Sequence, residues 1–127
     1  MIGCAIDVHK ALGPGLLESA YEHCLTHELT LRQIKFARHV PVPVAYRGAM
    51  LDCAYRADIV ADGQLLLELK AIDGWLPIHK AQVLTYLRLL GLRHGLLMNV
   101  NCRRFVDGLQ SVVLPETSPS EDAASHA

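Results

Sequence analysis

Residues 64–70 read Gln64-Leu65-Leu66-Leu67-Glu68-Leu69-Lys70, an apolar segment with an acid and a lysine two positions apart. Strand side chains alternate between faces. Leu65, Leu67 and Leu69 therefore point one way, and Leu66, Glu68 and Lys70 the other. Charges on so apolar a strand are costly to bury unless they are paired or put to use. An isolated Glu-x-Lys is also common on the solvated face of an edge strand, so the preceding strand matters. There Arg56, Asp58 and Val60 share a face. A two-residue Asp62-Gly63 loop would pair Asp58 with Leu67 and turn it away from Glu68. A three-residue Ala61-Asp62-Gly63 loop pairs Asp58 with Leu66 and sets Glu68 diagonally beside it on one face. Such hairpins favour glycine at the last, left-handed position, where Gly63 stands. Turn chemistry thus permits a cluster of Asp58, Glu68 and Lys70.

Two neighbouring carboxylates repel, and a divalent cation relieves the repulsion. Mg²⁺ takes hard oxygen ligands and keeps several waters. A lysine beside it can orient or deprotonate an attacking water, or stabilise charge growing on a phosphate. Asp58 followed by Glu68-x-Lys70 on the next strand therefore suits phosphodiester hydrolysis.

Working outward, Ile2, Ala5, Ile6 and Leu12 recur with the helical period over Ile2–Leu12. Gly13-Pro14-Gly15 ends that helix. A second is expected from about Leu16 to Gln33, with Leu17, Ala20, Tyr21, Cys24, Leu25 and Leu29 on its apolar face. His39–Tyr46 reads as one extended segment, and its two prolines, Pro41 and Pro43, argue for a sheet edge. Arg47-Gly48 turns the chain into a second strand, Leu51–Val60, and the third runs from Gln64 to Ala71. Pro77 suits the first position of a helix that Gly91 closes. Gly95–Asn99 is a short buried strand, and Phe105–Leu114 holds the last one. Three strands in a meander, then a helical crossover to a strand parallel to the third, make a mixed sheet. The expected fold class is α/β: a mixed central β-sheet flanked by helices, in αα-βββ-α-β order.

The 127 residues amount to one domain, and 51% hydrophobic composition is enough for a core. No apolar run approaches the ~20 residues of a membrane span. The N-terminus lacks the pattern of a secretory signal. Twelve basic against 13 acidic residues exclude a protein that holds nucleic acid by bulk charge alone. Three of the acids, Glu116, Glu121 and Asp122, lie in the polar stretch from Pro115 onward, which leaves a mildly basic body. The reading is a domain over 1–114 and a disordered polar tail over 115–127. Cys4, Cys24, Cys53 and Cys102 are scattered, which suggests buried thiols in a reducing, cytoplasmic setting. His23 and His27 have metal-compatible helical spacing, but no third ligand is placed by sequence, so solvent-facing histidines are the expectation.

The sequence resembles the GxxExxY proteins of the PD-(D/E)XK nuclease superfamily. The resemblance starts at Gly15-Leu16-Leu17-Glu18-Ser19-Ala20-Tyr21 and continues through Tyr55-Arg56-Ala57-Asp58 and Glu68-Leu69-Lys70-Ala71. It runs on through the stretch from Pro77 to Leu87 and ends at Gly95-Leu96-Leu97-Met98-Asn99. Each motif is weak singly; in order, together, they are specific.

The resemblance implies a restriction-endonuclease-like fold and a Mg²⁺-dependent nuclease, with Mn²⁺ able to substitute, acting on DNA or RNA. Asp58 and Glu68 resemble the metal-binding carboxylates, Glu18 the helix acid that assists metal or water, and Lys70 the catalytic lysine. Gln82 and Tyr86 resemble the QxxxY motif, which supports the lysine or contacts nucleic acid, and they share a helical face. Ala57 stands where the superfamily's name has Pro. Further substrate contacts are expected from Arg56, His79 and Tyr21, with a solvated histidine as the other reading of His79. Arg56 could equally pair with a neighbouring acid, Tyr21 and Tyr86 could be partly core, and Trp75 could stack on a base or cap the core. Cutting both strands of a duplex would take a homodimer or a partner protein. The competing reading is a catalytically inactive nuclease-fold module for nucleic-acid binding or assembly. The complete set of four charged positions favours the enzyme.

Overall fold

The structure, a computed structural model, describes residues 2–13, 17–102 and 104–115. The expected tail from 116 onward lies outside them, as do Gly15 and Leu16 of the first motif. Helices α1 (Ile2–Leu12) and α2 (Glu18–Leu31) come first. Strands β1 (Phe36–Pro41), β2 (Val44–Tyr46), β3 (Ala49–Leu51), β4 (Arg56–Ala61) and β5 (Leu65–Lys70) follow. Helix α3 (Pro77–Leu90) leads to β6 (His94–Asn99), a 3₁₀ turn (Phe105–Gly108) and β7 (Leu109–Val113).

The main sheet has the order β1-β4-β5-β6-β7. All its neighbours are antiparallel except β5 and β6, which α3 joins as a parallel pair. That is the expected α/β mixed sheet with its helical crossover. Strand β5 is central, so the edge-strand reading of Glu68-x-Lys70 fails: Leu66, Leu67, Glu68 and Leu69 are all buried. Alternation divides them as expected. Leu67 and Leu69 join a core with Tyr21, Leu25 and Leu29 of α2, whereas Leu66 joins one with Val83, Tyr86 and Leu87 of α3.

Two expectations about the first strands are corrected. The segment His39–Tyr46 is not one strand. β1 ends at Pro41, and β2 pairs instead with β3 in a separate two-stranded ribbon inserted before β4. Proline lacks the donor a ladder needs, and Pro43 falls at the break. Likewise 52–55 is irregular, so β4 begins only at Arg56.

The tight packing of α3 depends on Gly95. A Cβ there would lie 2.9 Å from Val83 Cγ1 and 3.6 Å from Leu66 O. Gly95→Ala is therefore expected to cost about 1–3 kcal/mol through overpacking. Urea unfolding of the two proteins measures this, and an unchanged midpoint would contradict such close packing.

Candidate active site

The β4–β5 turn decides how the two acids meet. Asp62 and Gly63 both have positive φ, 53° and 64°, and the Gln64 N–H donates to Ala61 O at 3.0 Å. Gln64 then stands outside the ladder, so Ala61 faces Leu65, Val60 faces Leu66 and Ile59 faces Leu67. The loop holds three residues as expected, but they are Asp62-Gly63-Gln64. The register moves by two, and Asp58 comes opposite Glu68 rather than diagonal to it.

Backbone pairing of β4 with β5 stops at Ile59 and Leu67. Beyond it the Asp58 N–H donates to Glu68 Oε1 at 3.1 Å, and the Leu69 N–H donates to Asp58 Oδ2 at 2.8 Å. The carboxylates have taken over the strands' own hydrogen bonds. The chain also rotates here: Ile59 packs in the α2-side core and Ala57 in the α3-side core, although the two alternate in phase. Opposite Asp58, between the pairs Arg38–Ile59 and Val40–Ala57, His39 has φ 51°. Such left-handed, non-glycine backbone gathers at functional sites.

Glu68 is 3% exposed and Asp58 half-buried. Burial, then the charge of Asp58, pushes the Glu68 carboxyl up to about 8. Asp58 is raised as well, chiefly by burial. The Lys70 charge opposes both shifts, which places the ammonium within electrostatic reach of the pair. Without a cation, the two acids hold a proton near neutral pH.

Glu18 opens α2, and its Oε1 accepts the Ala71 N–H at 2.9 Å. This fastens the helix start to the chain just past Lys70. Asn99, paired with Lys70 across β5 and β6, holds the same loop: its Oδ1 accepts the Ile72 N–H at 3.1 Å and its Nδ2 donates to Ile72 O at 2.8 Å. Glu18, Ser19, Glu22, His39, Asp58 and Leu69 line a cleft of about 190 Å³.

Glu22 and His39 are members of this cleft that the sequence reading did not include. Glu22 is 6% exposed, and its Oε2 accepts from Arg38 Nη2 at 2.8 Å and lies 3.0 Å from His39 Nε2. A signal for Glu22 existed: it lies three and seven residues before Leu25 and Leu29, on the inward side of α2. Arg38→Ala would strip the main counter-charge from a buried carboxylate. The expected cost is about 2–4 kcal/mol in chemical denaturation. A loss below about half a kcal/mol would mean that the ion pair is not buried in solution.

The remaining expected site residues separate. Gln82, Tyr86 and His79 line a second cleft with Tyr55, and Gln82 Nε2 donates to the Tyr86 hydroxyl at 3.4 Å. Burial and then the Glu68 charge raise the Tyr86 pKa, and Tyr86 shares a core with Leu66, which stands on the Glu68 face of β5. Tyr21 is corrected: it is wholly buried and its hydroxyl donates to Ala5 O at 3.0 Å, so it joins α1 to α2 and cannot reach substrate. Arg56 is the salt-bridge case, with Nη1 on Asp52 Oδ1 at 3.3 Å and on Tyr55 O at 2.8 Å. Trp75 packs against the α3-side core, its ring edge-on to His79. Cys53 is exposed, contrary to the expectation of buried thiols, because it falls in the irregular 52–55 segment.

Among the described residues, no three His, Cys, Asp or Glu side chains gather closely enough to hold a metal ion. His23 and His27 are exposed. The three-carboxylate set of Glu18, Asp58 and Glu68 therefore does not close, and Glu18 Oε1 instead accepts the Ala71 N–H. Asp58 and Glu68 remain as a pair of hard oxygen donors, which fits Mg²⁺, an ion that binds few carboxylates and keeps its waters.

The model for the PD-(D/E)XK nuclease superfamily matches residues 1–112, and the chain belongs to that superfamily. The match spans both helices on one side of the sheet, the crossover helix and every strand but the end of β7. No curated protein and no solved structure matches the chain. Among the described residues, no helix is long and apolar enough to cross a membrane.

Proposed function

We propose that the protein is a metal-dependent nuclease that hydrolyses phosphodiester bonds of DNA or RNA, in the manner of the GxxExxY proteins it resembles. The observation that carries this reading is the Asp58–Glu68 pair: a half-buried and a buried acid opposite one another where a central strand pair opens, with the Lys70 charge in reach of both. Nothing in the packing calls for charge there. Leucines of the same strand fill both cores.

Asp58 and Glu68 would hold the divalent cation. When bound, the ion supplies charge neutralisation at the phosphate and a more acidic water. Lys70 holds an ammonium where negative charge grows in the transition state. Glu18 lines the Asp58 cleft with Oε1 on the Ala71 N–H, and its other oxygen can orient a water approaching the phosphate. Glu22, itself held by Arg38, meets His39 at the rim.

The test is a cleavage panel of single- and double-stranded DNA and RNA in Mg²⁺, Mn²⁺ and EDTA. Cleavage in either metal and none in EDTA is expected. Asp58→Ala should remove at least about 99% of it, in line with loss of a group acting on the transition state. Intact activity in Asp58→Ala would exclude this site.

A further inference from the structure

The cleft on the α3 side has a composition that the hydrolytic chemistry does not require. It measures about 450 Å³, within the roughly 300–1,000 Å³ of small-molecule sites. Two tyrosine rings form part of it, Tyr55 and Tyr86, with centroids 6.0 Å apart and planes inclined by 47°. Tyr55 is 47% exposed although aromatic, and it comes from the irregular 52–55 segment rather than from a strand. Gln82, Thr85 and His79 add polar groups, and Ile78 adds an exposed apolar wall.

These polar groups have capacity left. Gln82 uses its Nε2 on Tyr86, which leaves its carbonyl oxygen as an acceptor. His79 Nδ1 accepts the Leu76 N–H at 2.9 Å, so the neutral ring carries its proton on Nε2 and can donate. An accessible ring face with an amide acceptor and an imidazole donor at its edge matches a flat heterocycle with hydrogen-bonding edges. The cleft lies on the face of the sheet that carries the proposed catalytic pair: Tyr86 joins the core that holds Leu66, and Leu66 and Glu68 alternate onto one face of β5.

We propose that the cleft formed by Tyr55, Tyr86, Gln82 and His79 binds an unpaired nucleobase beside the scissile phosphate, so that the preferred substrate is single-stranded or frayed nucleic acid. The inference rests on the nuclease reading for the word scissile, but the base site itself does not need cleavage. In a duplex, stacking occupies both faces of a base and pairing its edge, so neither is free for this cleft. A base in a strand without a partner offers both. Base–aromatic stacking is sequence-tolerant and contributes roughly 5- to 150-fold in affinity per base.

The experiment uses the full chain and fluorescein-labelled DNA and RNA 10-mers, single-stranded or in duplex, each with or without one abasic position. Binding is read by fluorescence anisotropy in EDTA, where no cutting occurs, and KM and kcat are read in Mg²⁺. Single strands should bind at least fivefold more tightly than duplexes. Tyr55→Ala should weaken single-strand binding about 5- to 50-fold, while Tyr55→Phe keeps it. In the cleavage assay, an abasic residue next to the cut should raise KM about as much as Tyr55→Ala does, and the two changes together should do no more than either alone. Equal binding of duplex and single strand, or Tyr55→Ala binding like wild type, would overturn the proposal even if cleavage is seen. Tyr55-dependent single-strand binding without cleavage in any metal would uphold the base site and remove the nuclease reading. A DNA arm that responds while the RNA arm does not, or the reverse, identifies the sugar and leaves the base site standing.

Discussion

Lys70→Ala is expected to lower kcat for cleavage by about 10²–10³-fold or more while the protein still folds and still binds Mn²⁺. An ammonium has no lone pair to offer a cation, so Lys70 is not a ligand in this scheme. Its side chain is half-buried at the end of β5, and its charge favours ionisation of both Asp58 and Glu68. Removing it should leave the pair holding its proton to higher pH, which weakens apparent metal affinity modestly near neutral pH. Asp58→Ala should differ in kind by losing metal affinity and activity together. Relief of carboxylate repulsion tends to stabilise such a variant, but Asp58 Oδ2 also accepts the Leu69 N–H, which alanine would leave unpaired. Asp58→Asn keeps an acceptor there and is the cleaner probe. Calorimetry and cleavage on the same preparations separate the two roles, and full activity in Lys70→Ala with metal bound would remove Lys70 from the chemistry.

The second large effect is on stability in the absence of divalent ions. The Glu68 carboxyl stands near 8 in the folded protein, against 4.5 for the free group, because burial and the Asp58 charge disfavour its ionised form. Between those values the folded chain binds the extra proton, so stability falls as pH rises. The contribution is complete below about pH 4.5 and is lost as pH passes through about 8. The raised Asp58 acts in the same direction. Glu68→Gln, which cannot ionise, should remove most of that slope. Above pH 8 it should exceed wild type by an amount on the order of a few kcal/mol. Urea unfolding in EDTA from pH 5 to 9 measures both proteins. Parallel profiles would contradict a buried, protonated Glu68.

Much of this site is legible in the sequence because it depends on two short-range rules. Strand alternation assigns Glu68 and Lys70 to one face and Leu67 and Leu69 to the other, and Gly63 selects the odd-length turn that brings Asp58 to Glu68's face. The exact register was less legible. Gln64, not Ala61, joins Asp62 and Gly63 outside the pairing, and the positive φ falls on Asp62 as well as on Gly63. Pro41 and Pro43 mark an edge correctly, but they do not reveal that the chain leaves the sheet between them to form a ribbon. Tyr21 shows the limit of motif reading: its hydroxyl donates to Ala5 O inside the core instead of facing a substrate. Glu22 and His39 depend on a contact between α2 and β1, and no local pattern pairs a helix residue with a strand residue 17 positions away.

The metal site proposed at Asp58 and Glu68 is tested most directly by calorimetric titration of Mn²⁺ into the full chain at pH 7, in two buffers of different ionisation enthalpy. An ion entering the site must displace the proton the two acids hold, because ligand carboxylates bind metal deprotonated. The expected result is one strong site that releases close to one proton per Mn²⁺, with affinity rising up to about pH 8 and lost in Asp58→Asn. Binding without proton release, or binding that survives Asp58→Asn unchanged, would place the metal elsewhere and contradict the site described above.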